Sequence, residues 1–340
     1  TEPDAFLSEN PHFAKSALSR YTQWDFLDLV QRQGIAWHEK TLGQLFCDGS
    51  ARQIVAMLLD ECARGGVEVR LSTAIGEIDH GDDRFRVAGA TAPRLVLATG
   101  GPSIPKMGAT GIAYDIARRF GLGVVPPRPA LVPLTLGPAD DDLKAIPGTA
   151  CPAIACTGDV AFEEAALFTH KGLSGPAILQ VSSYWRPGET VSLSVLPEAG
   201  DILRTARREM PRARLRAALA VHLPKRLAEV LAARIDLGRE LGNASDADLD
   251  RAAATLEALT VRPAGTEGYA KAEVTAGGID TAGLSSKTME ARAVLGLFAV
   301  GEAVDVTGWL GGYNFQWAWS SGVAAGDAIA AECRAAVPAG

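Results

Sequence analysis

The residues with the most chemical content lie near the end of the chain, in the run GEAVDVTGWLGGYNFQWAWSSG over 301–322. The apolar run LGLFAV at 295–300 precedes it and predicts a buried strand. Gly301 ends that strand at a sharp turn. Glu302 and Asp305 follow as hydrogen-bond acceptors just past the strand end, the edge at which open α/β sheets bind ligands. Gly311 and Gly312 then remove two side chains before a helical pattern opened by Tyr313, Asn314, Phe315 and Gln316. A helix start left bare in this way offers N–H groups and a partial positive charge. It suits an anion, or a ligand that gains electron density when it reacts.

Two further groups stand out. Thr99, Gly100 and Gly101 follow the apolar run 95–98 and predict a second glycine turn at a strand end. In the run FTHKGLSGP at 168–176, His170 is the candidate proton donor, as the residue type whose charge changes near neutral pH, with Lys171 beside it to hold an anionic group. His12, His38, His80 and His222 are isolated and read as structural. Ser174 lacks the flanks of the G-x-S-x-G nucleophile turn. Cys47, Cys62, Cys151, Cys156 and Cys333 form no paired ligand spacing, so no metal site is expected and the thiols are expected to be reduced.

The elements that must position these groups follow an α/β order. Ile54, Val55, Leu58, Leu59 and Cys62 share one helical face, and residues 67–71 alternate as a strand, continued at 74–78 and followed by another at 84–87. A helix with Ile112, Ile116 and Phe120 follows the Thr99–Gly101 turn. Residues 124–132 carry Pro126, Pro127 and Pro129, with Pro133 next, and read as a linker. From 131 to 198 the pattern is strand-like, suggesting a small barrel or sandwich. Residues 199–262 turn to Ala, Leu and Arg and predict a helical subdomain. Residues 272–276 return to a strand, which Gly277 and Gly278 are expected to end. Gly322 and Gly326 in the last helix are expected to permit close packing on a sheet.

The 301–322 run resembles the C-terminal FAD signature of the HI0933-like flavoproteins, also described as aminoacetone-oxidase-like or NAD(P)/FAD-dependent oxidoreductases. LFCD at 45–48, LATGG at 97–101 and the 168–176 run are also similar to that family. The resemblance implies a split FAD/NAD(P)-binding Rossmann-like domain, with an inserted β-barrel-like domain that carries a small helical subdomain. The expected boundaries are 1–127 and 287–340 for the FAD-binding domain, 128–198 and 264–286 for the β-rich insert, and 199–263 for the helices. Thr99, Gly100, Gly101, Gly301, Glu302, Asp305, Gly311, Gly312, Tyr313, Asn314, Phe315 and Gln316 are then the cofactor-binding residues. Ile75 is assigned to the adenine by its backbone amide. The implied activity is hydride transfer between flavin N5 and a small organic substrate, by amine oxidation or by NAD(P)H-driven reduction, with NAD(P)H sharing the flavin face where it is used. No glycine fingerprint G-x-G-x-x-G occurs in the sequence. The family places it before the point where Thr1 aligns, so the chain reads as a member lacking some tens of N-terminal residues. The alternative is a scaffold without cofactor or activity, serving as an interaction module.

Composition bounds the partners. The chain has 340 residues, is 47% hydrophobic and carries a net charge of −7. Mild acidity points away from nucleic acid and anionic membranes. Residues 201–240 hold ten basic against five acidic side chains, read as a solvated helix face. A small-molecule substrate, no nucleic acid, no membrane and a cytoplasmic location are expected, and the oligomeric state is not encoded legibly.

Overall fold

The computed structural model describes residues 2–40 and 43–335, and the chain divides into two compact units: Thr1–Arg128 with Thr275–Gly340, and Pro129–Val274. In the first unit, strands Leu95–Leu97 and Leu297–Ala299 pair in parallel, with Leu97 opposite Ala299. The ladder is extended by Leu95 N–H to Gly296 O (2.8 Å) and Val300 N–H to Leu97 O (3.0 Å). Parallel strands need a long connection between them; here it contains the whole second unit. The helix Tyr313–Ala335 buries Gln316, Trp317, Ser320, Ser321, Ala324 and Ala325, adjacent pairs four residues apart that make one face. Phe6, Phe13, Leu18, Ile116, Phe298 and Trp317 belong to the core of this unit. A smaller cluster gathers Phe26, Val30, Ile35 and Met57, with Trp319 packed against it. Ile78–Gly81, Arg84–Val87 and Ala90–Ala92 form a three-stranded antiparallel sheet.

Several sequence expectations are corrected in this unit. Residues 67–71 alternate as a strand should, but join no ladder among the described residues, and Val67, Val69 and Leu71 are 56%, 50% and 82% exposed. On the helix Arg52–Arg64 the buried residue is Met57, whereas Val55 and Leu59 are exposed. Periodicity reports which side chains are apolar; burial needs a partner surface. The proline-rich stretch is a strand, Val124–Ala130, paired with Val274–Ile279 in a two-stranded sheet. With one partner only, a strand can turn its missing N–H groups to the unpaired side. Gly277 and Gly278 lie inside their strand instead of ending it. Gly277 has φ +82°, and a Cβ there would sit 2.5 Å from Pro126 O. Gly322 and Gly326 are exposed, and a Cβ on either would have no neighbour within 4 Å, so close packing is not their role.

The second unit holds a seven-stranded antiparallel sheet in the order Leu259–Val261, Val191–Ser194, Ala150–Thr157, Val160–Phe168, Gly172–Ser174, Leu134–Leu136, Pro263–Thr266. The expected barrel is an open sheet. Its two edge strands are consecutive in the chain, separated by Arg262 alone, so the sheet must curl, yet no described ladder joins its edges. Helices Ala199–Glu209, Leu215–Leu219, Lys225–Ile235 and Asp246–Glu257 pack through Leu203, Leu219, Leu227, Leu231, Leu249 and Leu256, all without solvent exposure. Ser245 and Asp248 close a capping box at the start of the last of these.

The glycines separate two kinds of requirement. Gly277→Ala is expected to cost about 2–4 kcal/mol, from a positive φ and a backbone clash together. Gly326→Ala, in an exposed helix interior, is expected to stabilise by up to about 1 kcal/mol. Chemical denaturation of both variants checks this, and equal midpoints would refute the assigned close approach.

Candidate active site

Because Leu95–Leu97 and Leu297–Ala299 run parallel, their carboxyl ends lie side by side, and Thr99-Gly100-Gly101 is brought next to Gly301-Glu302. Glu302 joins the two turns. Its Oε1 accepts from Thr275 N–H (2.7 Å), its carboxylate also accepts from Gly101 N–H, and a Cβ on Gly100 would lie 3.5 Å from Oε2. Gly101 has no room for a side chain: a Cβ would meet Thr275 Oγ1 at 2.5 Å and the Tyr114 hydroxyl at 2.9 Å. Thr275 Oγ1 is paired with the buried Ser103 Oγ at 2.8 Å. Burial pushes the Glu302 pKa above the usual carboxylate value, and the N–H bonds from Thr275 and Gly101 oppose that rise without cancelling it.

Gly301, at φ +63°, is clamped by the long helix. Its N–H donates to Ser321 Oγ (2.9 Å), and its carbonyl accepts from Trp317 Nε1 (2.9 Å). Asp305, 4% exposed, accepts from Glu9 N–H (2.9 Å) and Ser8 Oγ (3.4 Å), which ties the first residues of the chain to this turn. Burial also raises its pKa, against the pull of the Glu9 N–H.

The loop before the long helix is shaped by Asn314. Its Oδ1 accepts from Gly308 N–H (2.8 Å), and its Nδ2 donates to the carbonyls of Gly308 (2.8 Å) and Trp309 (3.3 Å). Gly308 must be glycine, because a Cβ would fall 2.6 Å from Tyr313 Cβ. Gly311 (φ +107°) faces the Gln44 side chain, and Gly312 (φ +98°) opens onto empty space. The two glycines are exposed, and Gln316 N–H makes a helical bond to Gly312 O (2.9 Å). The helix start is therefore accessible at Gly312, with Gln44 against Gly311.

The other residues singled out in the sequence fall in different surroundings. Tyr313 packs edge-on against Phe6 at 5.8 Å. Gln316 is buried and donates to Tyr21 O and Ser320 Oγ, both at 3.0 Å, so its amide is engaged within the protein. Phe315 is 68% exposed and continues a stack through Trp319 to Phe26. Ile75 packs half-buried against the core of the first unit. In the second unit, His170 and Lys171 are exposed in the turn between Val160–Phe168 and Gly172–Ser174, and Lys171 Nζ is held by Glu267 at 2.9 Å. Thr275, Ser103, Ser321 and the bracing role of Asn314 escaped sequence reasoning, because each acts through a contact that no local pattern encodes. Among the described residues no group of three or more His, Cys, Asp or Glu is placed to hold a metal, and no helix is long and apolar enough to cross a membrane. Burial pushes the Cys151 thiol up to about 11, well away from thiolate chemistry.

Glycine turns at the carboxyl ends of a parallel strand pair, clamped by a long helix whose start is bare, define a Rossmann-like site in a mixed α/β protein. Residues 1–328 match the HI0933-like protein Rossmann domain, and the chain belongs to that family. Among curated relatives it is 53% identical to the ribosomal RNA dihydrouridine synthase of Escherichia coli (strain K12), over 97% of this chain and 85% of the relative. It is 45% identical to the protein of the same name from Haemophilus influenzae (strain ATCC 51907 / DSM 11121 / KW20 / Rd), over 95% of this chain and 83% of the relative. It is 29% identical to the 3-dehydro-bile acid delta(4,6)-reductase of Clostridium scindens (strain ATCC 35704 / DSM 5676 / VPI 13733 / 19), over 97% and 85%. The two relatives with the higher identities are named for ribosomal RNA. They overturn the expectations of amine oxidation or another reaction on a small organic substrate, and of no nucleic-acid partner. Net charge misled there because it sums over the whole surface, whereas a polyanion meets one face.

Two outcomes follow from this geometry. Asn314→Ala removes three hydrogen bonds that brace the Gly308–Gly312 loop, and is expected to cost about 1–3 kcal/mol. Thermal unfolding measures it, and an unchanged midpoint would refute the brace. Glu302 remains protonated in both states below its ordinary pKa. As pH rises the unfolded chain ionises first, so the stability Glu302 contributes is lost as pH passes through its raised folded value. The stability of wild type relative to Glu302→Gln should therefore fall as pH rises above the ordinary carboxylate value; a difference independent of pH would contradict it.

Proposed function

We propose that this protein is an FAD-dependent, cytoplasmic enzyme that reduces uracil to dihydrouracil in ribosomal RNA. The observation that carries the reading is the 53% identity, over 97% of the chain, to a ribosomal RNA dihydrouridine synthase. The site supports it. The helix start is open at Gly312, where a planar ring with an electron-rich edge would lie, and a Cβ there would occupy that space. Glycines at 100 and 101 bring backbone close to the strand ends. These residues fit the flavin end of FAD; the fingerprint that takes a pyrophosphate is not within the 340 residues.

Bound and reduced, FAD supplies the hydride that, with one proton, saturates the C5–C6 double bond of uracil; NAD(P)H is the proposed source of the two electrons. The chain's own residues orient and hold. Gly311, Gly312 and the first-turn N–H groups of Tyr313, Asn314 and Phe315 present the positive end of the helix to the ring edge that gains charge. Asn314 keeps that edge in shape, and Glu302 keeps the turns at Gly101 and Gly301 in register. Thr99, Gly100, Gly101 and Gly301 line the strand ends, Asp305 fixes the turn behind them, and the Ile75 amide is the proposed adenine contact. His170 is the proposed proton donor and Lys171 the proposed phosphate contact.

The test is purified protein with FAD, NAD(P)H and deproteinised ribosomal RNA that lacks dihydrouridine, followed by nucleoside mass spectrometry. Dihydrouridine, about 2 Da heavier than uridine, should accumulate with NAD(P)H consumption in a 1:1 ratio. His170→Gln should slow it about 10²-fold or more, within the range for a general acid. Absence of dihydrouridine from FAD-loaded protein would overturn the proposal.

A further inference from the structure

The ten basic side chains of 201–240 are not equivalent. Four are neutralised: Arg204 by Asp201 and Asp250, Arg207 by Asp246 (2.6 Å), Arg216 by Glu229 (3.1 Å), and Arg234 by Asp140 and Asp142. Among the described residues, no carboxylate lies within ion-pair distance of Arg208, Arg212, Arg214 or Arg239, and all four are exposed. Arg208 donates to the Thr205 hydroxyl (3.0 Å) and Arg239 to the Leu237 carbonyl (3.3 Å), neutral acceptors that leave the charge in place.

The backbone gathers these four. The connection after Ala199–Glu209 lies against the segment after Lys225–Ile235, with Arg214 bridged to Glu240 in antiparallel fashion. Leu241 N–H donates to Ala213 O and Gly242 N–H to Pro211 O, both at 2.8 Å. Gly242 permits this approach, since a Cβ would lie 2.9 Å from both the Cβ and the carbonyl oxygen of Pro211. Arg207 fastens the far end through the Ala244 carbonyl (3.1 Å) and Asp246. The result is a short pinned ribbon. Four unneutralised arginines lie on or beside it, against Glu209, Asp236 and Glu240 as the acidic side chains of the same stretch.

Resting on the ribosomal RNA reading above, we infer that this ribbon is a docking surface for the phosphate backbone of RNA, with Arg212, Arg214 and Arg239 as its principal contacts and Arg208 at its margin. Nine of the ten basic residues in 201–240 are arginine, whose planar fork matches phosphate oxygens in pairs. The pinned backbone reduces the ordering that binding requires. No aromatic residue occurs between 208 and 216 or between 237 and 246, so base stacking contributes nothing and the contact is independent of sequence. It supplies affinity and orientation, and the choice of base is left to the reaction site.

The experiment compares full-length wild type with Arg212→Gln/Arg214→Gln/Arg239→Gln and with the corresponding triple lysine variant. Binding to deproteinised ribosomal RNA is titrated from about 0.05 to 0.2 M salt, the range over which phosphate contacts separate. Thermal unfolding confirms that each variant is folded. The glutamine variant should bind at least tenfold more weakly, with a salt slope smaller by roughly 2–3, as three lost phosphate contacts require. Its KM for RNA should rise with kcat unchanged, and the lysine variant should restore the slope. If wild type binds and the folded glutamine variant keeps both its affinity and its slope, the ribbon is not the docking surface, while the ribosomal RNA reading stands. If wild type itself binds no ribosomal RNA at the lowest salt, both fail.

Discussion

The site depends on one short ladder, the parallel pairing of Leu95–Leu97 with Leu297–Ala299. Three residues on each strand fix where two remote glycine turns meet. Slip the register by one and every side chain on the strand exchanges faces, and Gly301 would no longer stand beside Gly100. So few ladder bonds carry little stability alone, and the helix Tyr313–Ala335 supplies what they lack. It satisfies both polar groups of the Gly301 backbone, with Ser321 and Trp317, from the same face that buries Ala324 and Ala325. One helix face thus packs the core and locks the turn. Its other end, at Gly312, stays open because that face does not begin until Gln316.

Much of this was legible because it is local. A run such as LGLFAV followed by glycine announces a strand and its turn, and two glycines before a helical pattern announce a bare helix start. The same reasoning failed wherever the deciding partner was distant in sequence. Residues 67–71 carry a strand's alternation without a ladder, and 124–130 carry prolines within one. Gly277 looked like a stop and is a point of close approach, because the atom it makes room for belongs to Pro126. Gln316 looked available to a ligand and is buried on Tyr21. In each case the residue type was read correctly, and the surface facing it was not there to be read.

Charge failed for a related reason. A net charge of −7 describes the protein at a distance beyond the Debye length, about 10 Å in moderate salt. A phosphate in contact meets only the groups within that radius. Of the five acids in 201–240 only Asp201 and Glu229 pair with arginines there, while Asp140, Asp142, Asp246 and Asp250 reach in from outside the stretch, so subtracting acidic from basic residues does not show which arginines are left over. Helix-face ion pairs and uncommitted arginines look alike in a composition count and separate only once the fold assigns each acid its partner.

Glu302 shows why a carboxyl group is kept where burial penalises its charged form. Two backbone N–H groups, from Thr275 and Gly101, converge on Glu302 between two turns, and Gly101 has no space for a side chain. Left unpaired, each would cost on the order of 1–3 kcal/mol. An apolar residue there would leave both unsatisfied. A carboxylate offers acceptors in every direction of the crowded junction, and its raised pKa is the measure of what that costs. The penalty is tolerated because the same two bonds hold Gly101 against Thr275, which is itself tied to Ser103, so that the strand ends at the candidate site keep a single geometry.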